Sequence, residues 1–304
     1  MKTSVCVYIL THNRPQCILE CVESVLNQSF QNFDIVVSDN SDNDSTEAIL
    51  APIVDAHSRL KYIHHSNLNT SFEHFSHIIK SNTYEYYMLF HDDDQMMPDM
   101  VGTLYDKISS DKSLAAVATN ALLRINGQYT NKKYYSYGKD LYLDREGLIN
   151  SYSQTPAPYP SYMYRRSLAG KVMPCYKHGK KYCDASYLVD IANCGRICFL
   201  KKPHMYYNIS SLQDSQTFDY ISYMSLINYF KRIVNDKGII IGLRIFVLYV
   251  NSTNNYRTGK MEYRRSVIKI LFRYSKMNFV IKYIARLIQN HYFALCKCKK
   301  SMNL

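Results

Sequence analysis

The sequence predicts an α/β protein built on a mostly parallel sheet that is sandwiched by helices, and two observations support this fold class. Through the first hundred residues, short runs of β-branched and aromatic residues alternate with stretches of helical periodicity, as they do in strand–helix–strand units. Polar clusters at 11–14, 39–46 and 91–94 each follow an apolar run. Because the carboxyl ends of parallel strands meet at one edge of a sheet, these clusters are expected to converge there.

Four strands and three helices are expected in this part of the chain. The strands are apolar runs bounded by polar residues, at Val5–Leu10, Phe33–Val37, Leu60–Ile63 and Tyr86–Phe90. Periodicity and turn residues place the helices at Ile18–Leu26, from Thr46 onward and at Phe72–Lys80. Residues 126–182 predict loops with short strands, which are followed by a helix over Asp184–Asn193 and a strand over Ile197–Leu200.

The net charge of +12 is concentrated in the last quarter of the chain. Residues 220–304 hold 16 Lys and Arg against 2 Asp and Glu, a net +14, which leaves 21 basic and 23 acidic residues, a net −2, in residues 1–219. The basic face of this segment carries Arg265, Lys269, Arg273 and Lys276. We therefore expect a domain over 1–216 and a C-terminal basic helical extension over 217–304. Such an amphipathic helix fits an anionic membrane surface better than a solvated face of the domain.

The composition of the chain indicates its class and its location in the cell. Hydrophobic residues make up 47% of the chain and charged residues 20%, a balance that excludes a disordered protein. No uncharged apolar run reaches 18 residues, and the N-terminal run is too short for a signal peptide. The nine cysteines form no paired C-x-x-C array, which favours reduced thiols over a zinc site. We expect a cytoplasmic protein that associates peripherally with the inner face of the cell membrane.

The sharpest candidate site is the segment His91-Asp92-Asp93-Asp94, which directly follows an apolar strand. Three adjacent carboxylates repel one another unless water or a cation offsets their charge. Mg²⁺ and Mn²⁺ prefer oxygen ligands and are often completed by phosphate oxygens. The segment therefore indicates a divalent cation site, and the alternative is an acidic turn whose Asp residues cap backbone N–H groups.

Polar residues also follow the first two strands. Thr11, Asn13 and Arg14 offer a hydroxyl, an amide and a guanidinium near a helix start, where phosphate and base contacts are common. Asp39 ends the second strand and could accept a hydrogen bond from a base or a ribose, or serve only as a turn residue. The turn after the first strand has no glycine-rich loop, which excludes dinucleotide-binding and P-loop sites there.

Taken in order, these segments resemble family-2 glycosyltransferases with the GT-A fold, of the type that builds bacterial cell-surface polysaccharides. Residues 5–14 (VCVYILTHNR) are similar to the family's opening strand, and residues 21–30 (CVESVLNQSF) are similar to its first helix. Residues 33–46 resemble its second strand and acidic turn, and residues 90–94 resemble its D-x-D metal segment. Residues 182–184 (YCD) resemble a later E-D motif. The resemblance covers roughly residues 3–216.

The resemblance implies roles for the candidate residues. The side chains around the donor nucleotide would be Thr11, Asn13, Arg14, Asp39 and Asp92. A divalent cation, Mn²⁺ or Mg²⁺, would be held by Asp93 and Asp94, and Asp92 stays open as a further ligand. Asp184 would be the general base that takes the proton of the acceptor hydroxyl in an inverting transfer. Asp184 could also be a plain helix N-cap.

Three positions depart from the family pattern. His91 stands where the first carboxylate of D-x-D is usual, and Cys183 stands where an acidic residue precedes the base. In the segment that resembles Y-Y-R-x-H, Asn208 and Ser210 replace the Arg and the His. Since that His could contact the metal or the diphosphate, these changes bear on the metal dependence of the enzyme.

The function expected from the sequence is transfer of a sugar from a nucleoside-diphosphate donor, a UDP-sugar, to a hydroxyl of a growing glycan on a lipid carrier. An enzyme of the same fold that glycosylates polyprenyl phosphate is one alternative. A non-enzymatic protein that binds nucleic acid through its basic tail is another. The C-terminal extension also carries an apolar stripe, and the chain has no nucleic-acid-binding motif. Both observations argue against the nucleic-acid-binding alternative, so we expect no nucleic-acid partner.

Overall fold

The computed structural model describes residues 3–209, 219–244 and 246–247. The chain divides into two compact units, residues 1–239 and 240–304. The first unit contains a ten-stranded sheet. Its strands are β1 (Val5–Thr11), β2 (Asp34–Asp39), β3 (Leu60–His64), β4 (Tyr86–His91), β5 (Gln95–Met96), β6 (Leu114–Ile125), β7 (Gln128–Lys133), β8 (Leu141–Leu143), β9 (Tyr162–Arg165) and β10 (Arg196–Ile209). Its α-helices are α1 (Pro15–Leu26), α2 (Ser45–Ala56), α3 (Ser71–Ser81), α4 (Met100–Ser110), α5 (Arg145–Ser151), α6 (Arg166–Ala169), α7 (Cys183–Ile191) and α8 (Tyr220–Ile233).

The N-terminal half of the sheet is parallel, as the sequence predicts. The strand order is β3-β2-β1-β4-β9-β6-β10-β5, with β7 beside β6 and β8 beside β10. In register, Thr11 lies opposite Asp39, and Leu10 lies opposite His91. The carboxyl ends of β1, β2 and β4 are therefore neighbours, and the polar residues that follow them share one edge of the sheet.

Alternation along these strands builds two apolar layers. Val5, Val7 and Ile9 of β1 belong to the core that includes residues of α1 and α4. Cys6 and Tyr8 of the same strand are also buried, and successive side chains of a strand point to opposite faces. Helices therefore cover both faces of the sheet, which explains why the sequence of β1 is a continuous hydrophobic run.

The second half of the sheet is mixed. β9 runs antiparallel to both of its neighbours, β4 and β6, while β6 and β10 are parallel. Neither α4 nor β6 is predicted from the sequence, and β10 continues nine residues past its predicted end at Leu200. The alanine-rich β6 (LAAVATNALLRI) lacks a period of two because it is buried on both faces, so periodicity could not separate strand from helix.

Residues 126–182 contain more regular structure than the expected loops with short strands. The short helices α5 and α6 occur there beside β7, β8 and β9. The expected helix over Asp184–Asn193 is confirmed as α7, and the helix over Phe72–Lys80 is confirmed as α3. The latter begins with a capping box, in which Thr70 and Glu73 each accept a hydrogen bond from the other's backbone.

The first helix beyond residue 219, α8, packs within the first unit. Asp219 caps it by accepting hydrogen bonds from the backbone and the hydroxyl of Ser222 at 3.1 and 2.6 Å, and Leu226, Ile227 and Phe230 are buried. Within the second unit, residues 240–244 are helical. The basic stripe from Arg265 to Lys276 lies outside the described residues, so the division at 216/217 stays a prediction. Among the helices that the structure describes, none is both long and apolar enough to cross a bilayer.

Candidate active site

The loops after β1 and β2 are tied together by hydrogen bonds. His12 Nδ1 lies 2.8 Å from the Asn40 carbonyl oxygen, and the backbone N–H of Asn13 donates to Ser41 Oγ at 2.7 Å. Asn13 also donates through Nδ2 to Asp42 Oδ2 at 2.7 Å. Its φ of 52° lies in the left-handed region, which Asn tolerates better than most residues. These contacts fix the two loops as one polar surface at the edge of the sheet.

Asp39 holds the loop after β2 in place through hydrogen bonds. Its side chain is fully buried, Oδ1 accepts the backbone N–H of Ser41 at 2.7 Å, and Oδ2 accepts the hydroxyl of Tyr62 at 2.8 Å. Both oxygens therefore have protein partners. Asp39 is a candidate from the sequence, whereas His12, Ser41 and Tyr62 are not, because each lies in a segment with the pattern of an ordinary turn or strand.

Asp92 joins β1 to β4. It is fully buried, accepts the Thr11 hydroxyl at 2.6 Å, and forms an ion pair with Arg14 at 2.5 Å. Burial raises its pKa to about 6 although Arg14 and Thr11 act in the opposite direction. Arg14 also reaches Asp93 at 3.2 Å, so this guanidinium bridges two of the three adjacent carboxylates and holds the loop in place.

A second group of side chains lies at the end of β4, and we call it the metal-type cluster. His91, Asp93 and Asp94 each offer a ligand atom, and these atoms all lie within 4.8 Å of one another. Oδ1 of Asp94 accepts the backbone N–H of Asn208 at 2.8 Å, while Oδ2 is buried without a hydrogen-bond partner among the described residues. Burial lowers the pKa of His91, which favours the neutral imidazole that metal ligation requires.

This donor set fits a divalent cation. Two carboxylates with a neutral imidazole leave coordination positions for phosphate oxygens or water, as Mg²⁺ and Mn²⁺ sites do. An unpartnered buried carboxylate oxygen is costly unless a cation or a water satisfies it. The structure thus brings Asp93 and Asp94, the two residues singled out as metal ligands, together with His91, and it turns Asp92 toward Thr11 and Arg14. Ser210, which stands where a His is usual, lies outside the described residues.

Asp184 lies in the first turn of α7, one residue inside the helix rather than at its N-cap, which is Tyr182. Its Oδ1 accepts the backbone N–H of Ala185 at 2.8 Å. Burial raises its pKa to about 6, against the effect of these backbone hydrogen bonds. A carboxylate with a pKa near 6 is still ionised at pH 7 and accepts a proton more readily than an ordinary Asp.

Three tyrosines lie close enough to Asp184 for its charge to affect them, and none of them is a candidate from the sequence. Burial is the main cause of the raised pKa values of Tyr152, Tyr159 and Tyr164, and the charge of Asp184 raises all three further. The Tyr159 ring also lies 5.9 Å from the His91 ring. Tyr159 therefore lies beside the metal-type cluster and close enough to Asp184 for that charge to affect it. The sequence feature that could have indicated these residues is the density of tyrosine, since residues 152–187 contain seven.

Known proteins resemble this chain in sequence. A sequence model described as glycosyl transferase family 2 matches residues 6–172. The chain is 28% identical over 145 residues to a GalNAc(5)-diNAcBac-PP-undecaprenol beta-1,3-glucosyltransferase of Campylobacter jejuni, an alignment that covers 46% of this chain and 44% of the relative. The chain spans less than half the length of the curated relatives it matches.

Solved structures share the fold at low sequence identity. S. aureus TarS 1-349 in complex with UDP-GlcNAc superposes with a TM-score of 0.64 at 16% identity, over 88% of this chain and 79% of that one. The mannosyltransferase PcManGT of Pyrobaculum calidifontis, in complex with GDP-Man and Mn²⁺, gives a TM-score of 0.59 at 14% identity, over 97% and 81% of the two chains. The expected GT-A-type α/β fold is thereby confirmed.

Proposed function

The chain belongs to glycosyl transferase family 2, and from that premise we propose that it moves a sugar from a nucleoside-diphosphate donor, a UDP-sugar, to a hydroxyl of a growing glycan with inversion at the anomeric carbon. One observation carries the proposal. Polar loops and a metal-type cluster lie together at the carboxyl edge of the sheet, the edge where ligands of α/β proteins bind, and Asp184, a buried carboxylate with a raised pKa, acts on Tyr159, whose ring lies beside that cluster.

The donor nucleotide would lie on the surface formed by the loops after β1 and β2. Asn13 and Arg14 contribute polar groups there, Thr11 donates its hydroxyl to Asp92, so that its contact with the donor stays a prediction, and Asp39 holds the second loop through Ser41. Because the carboxylates of Asp39 and Asp92 already have protein partners, their part is to orient these loops, and a direct contact of either with the donor stays a prediction.

The donor diphosphate would lie beside His91, Asp93 and Asp94. These three residues would hold the divalent cation, Mn²⁺ or Mg²⁺, whose charge offsets that of the departing diphosphate. Arg14 pairs with Asp92 and Asp93, so it both lowers the negative charge of the segment and fixes its position. The UDP-GlcNAc complex of TarS and the GDP-Man and Mn²⁺ complex of PcManGT, named above, support this assignment by similarity of fold.

The acceptor hydroxyl would be deprotonated by Asp184. Inverting transfer requires a base on the face opposite the leaving diphosphate, and Asp184 lies outside the metal-type cluster, close enough to Tyr159 for its charge to act on that side chain. Its raised pKa matches the task, since the group is ionised near neutral pH and its proton affinity is increased. The name of the Campylobacter relative supports a glycan on a polyprenyl diphosphate as the acceptor.

Nucleoside diphosphates test the donor site directly. We expect UDP at 100 times its Kd, with Mn²⁺, to stabilise the protein by about 2.7 kcal/mol, and so to raise its unfolding temperature by about 5–10 °C. Thermal unfolding with UDP, dTDP, GDP and CDP, each with and without Mn²⁺, makes the comparison. Stabilisation by UDP that does not depend on Mn²⁺ would contradict the metal assignment, and no stabilisation by any of the four would contradict the transferase.

The basic C-terminal region would hold the enzyme at an anionic membrane surface, next to a lipid-linked acceptor. The support is its net charge of +14 over residues 220–304, since each Lys or Arg near an anionic surface contributes about 1 kcal/mol. Because α8 packs within the first unit, the relevant charges are those beyond it.

Replacing Arg265, Lys269, Arg273 and Lys276 together by Gln is expected to reduce binding to vesicles containing phosphatidylglycerol at least tenfold, because four of the charges that face the lipid are lost. Co-sedimentation of the full chain measures the bound fraction. A matched control replaces Lys61, Lys112, Lys132 and Lys133 in the first unit by Gln. Equal losses in the two variants, or none in either, would contradict the assignment to the C-terminal region.

A further inference from the structure

Tyr129, in β7, is an exposed aromatic side chain that the fold holds in one orientation. Of its surface, 57% is open to solvent. Its hydroxyl donates to Gln95 Oε1 at 2.7 Å, and the Tyr206 ring lies 4.7 Å away, centroid to centroid, in a T-shaped arrangement. The Arg124 guanidinium lies 5.1 Å from the centroid of the Tyr129 ring. Three contacts thus orient a side chain of which more than half stays exposed.

The local sequence builds the hairpin that carries this ring. Asn126 and Gly127 form the two-residue turn between β6 and β7, with φ of 50° and 80°. An Asn-Gly turn with both φ values positive matches the twist of the strands that it joins. Tyr129 lies directly opposite Arg124 across the hairpin, so the two side chains form a cross-strand pair. The ring therefore belongs to a regular strand pair, and its orientation is set before any ligand binds.

The surface around Tyr129 is continuous with the metal-type cluster. Gln95, which accepts the Tyr129 hydroxyl, directly follows Asp94 in the chain. On β10, Tyr206 lies opposite Gln95 in register, and the backbone N–H of Asn208, two residues further on, donates to Asp94 at 2.8 Å. The exposed ring and the cluster are therefore separated by only a few residues along β5 and β10.

The chemistry of this surface fits a carbohydrate. Polar groups border the ring, since Glu20 of α1 accepts Gln95 Nε2 at 2.7 Å and pairs with Arg124 at 2.5 Å. A pyranose has C–H groups on its faces, which pack on an aromatic ring, and hydroxyls at its rim, which hydrogen-bond amide and charged side chains. An acyl chain would instead remove water from the ion pair of Glu20 and Arg124 without replacing its hydrogen bonds.

The strand order assigns the surface to the acceptor and not to the donor. β1 and β2, whose loops would hold the nucleotide, lie on one side of β4, whereas β6, β10 and β5 lie on the other side. The metal-type cluster at the end of β4 therefore lies between the nucleotide surface and the Tyr129 surface. In a direct displacement the nucleotide leaves from one side of the reacting carbon and the acceptor attacks from the other, so the acceptor glycan extends away from the nucleotide.

We propose that Tyr129, with Tyr206 and Arg124 beside it, is a stacking platform for a sugar unit of the acceptor glycan, at a position removed from the hydroxyl that reacts. This inference rests on the proposed function and adds a part of the acceptor site. Because the ring is already oriented, little conformational entropy is lost when a sugar packs on it. An acceptor of several sugars therefore binds more tightly than a single sugar that occupies only the reacting position.

The test measures glycan binding, which does not require turnover. The full chain, with UDP and Mn²⁺, is titrated against immobilised mono-, di- and trisaccharides of glucose, galactose, N-acetylglucosamine and N-acetylgalactosamine. We expect the wild type to bind a di- or trisaccharide more tightly than the monosaccharides. Tyr129→Ala should weaken that binding about tenfold, because the stacked ring is lost, with the affinity for UDP unchanged. Tyr129→Phe keeps the ring and should retain wild-type binding.

Tyr142→Ala is the matched control. Tyr142 is also an exposed tyrosine of a β-strand, 43% open to solvent, with the Lys107 ammonium 5.0 Å and the Arg196 guanidinium 5.3 Å from its centroid. It pairs with Cys198, about 25 Å along β10 from Tyr206, so its loss should change neither glycan nor UDP binding. Unfolding temperatures verify that the variants fold, and Tyr129→Leu, which lacks an aromatic face, replaces Tyr129→Ala if the latter does not.

The outcomes separate the platform from the proposed function. A wild type that binds UDP but none of the glycans, a Tyr129→Ala variant that binds glycans normally, or an equal loss in Tyr142→Ala would each overturn the platform alone. A loss in Tyr129→Phe as large as that in Tyr129→Ala, or a loss of UDP affinity, would overturn stacking and assign the effect to the contact with Gln95. A wild type that binds no nucleotide overturns the transferase, and with it the acceptor role of Tyr129.

Discussion

Replacing Asp184 by Asn is expected to lower kcat for glycosyl transfer by about 100- to 10,000-fold, the range that a general base supplies. The amide occupies the same space and accepts the same Ala185 N–H, but it cannot take a proton from the acceptor hydroxyl. Donor binding does not use that proton, so the affinity for UDP is expected to change by less than about twofold. Steady-state kinetics and calorimetry on the same preparation separate the two effects.

The pH profile gives an independent readout of the same prediction. Because burial raises the pKa of Asp184 to about 6, the base is protonated and inactive below that pH and ionised above it. The rate of the wild-type enzyme should therefore rise with pH through about 6, with a tenfold loss per pH unit on the acid side. The residual activity of Asp184→Asn should lack this limb.

Asp190→Asn is the matched control, since Asp190 lies in the same helix and hydrogen-bonds Tyr229. It is expected to reduce stability and to leave kcat unchanged. An Asp184→Asn enzyme with wild-type kcat would rule out Asp184 as the base. An Asp190→Asn enzyme that is as inactive as Asp184→Asn would place the effect in the packing of α7 instead.

Replacing Asp94 by Asn is expected to reduce the Mn²⁺-dependent affinity for UDP at least a hundredfold. The substitution keeps the contact with the Asn208 N–H but removes the charge of the buried oxygen that faces His91 and Asp93. Without metal, the variant should unfold at the same temperature as the wild type or at a higher one, because a buried charge next to Asp93 is lost. Titration of UDP at fixed Mn²⁺ and thermal unfolding without metal measure the two effects.

Asp55→Asn serves as the control for Asp94→Asn, since Asp55 is exposed in α2 and should leave both quantities unchanged. Retention of Mn²⁺-dependent UDP binding by Asp94→Asn would remove Asp94 from the ligand set. A lower unfolding temperature without metal would mean that the charge of Asp94 stabilises the fold, contrary to the role inferred from its unpartnered oxygen.

The sequence by itself determined the parallel half of the sheet and the edge where the site lies. β1 to β4 alternate with α1 to α3, and local periodicity with short connections is enough to specify such units. Since a polar segment after each strand must lie at the carboxyl edge, the sequence alone predicts that Thr11, Asp39 and His91 come together. The ordered motifs then identified Asp93, Asp94 and Asp184 as candidates with distinct roles.

Only the tertiary structure decided what each candidate touches. The direction in which adjacent carboxylates point depends on backbone angles that no sequence pattern specifies, so the tertiary structure alone turns Asp92 toward Arg14 and Asp94 toward His91. The tyrosines around Asp184 come from β9 and the segments before it, and β9 joins the sheet antiparallel by long-range pairing with β4 and β6. Local sequence carries no signal for such pairing, because the energy that selects it is side-chain burial between distant parts of the chain.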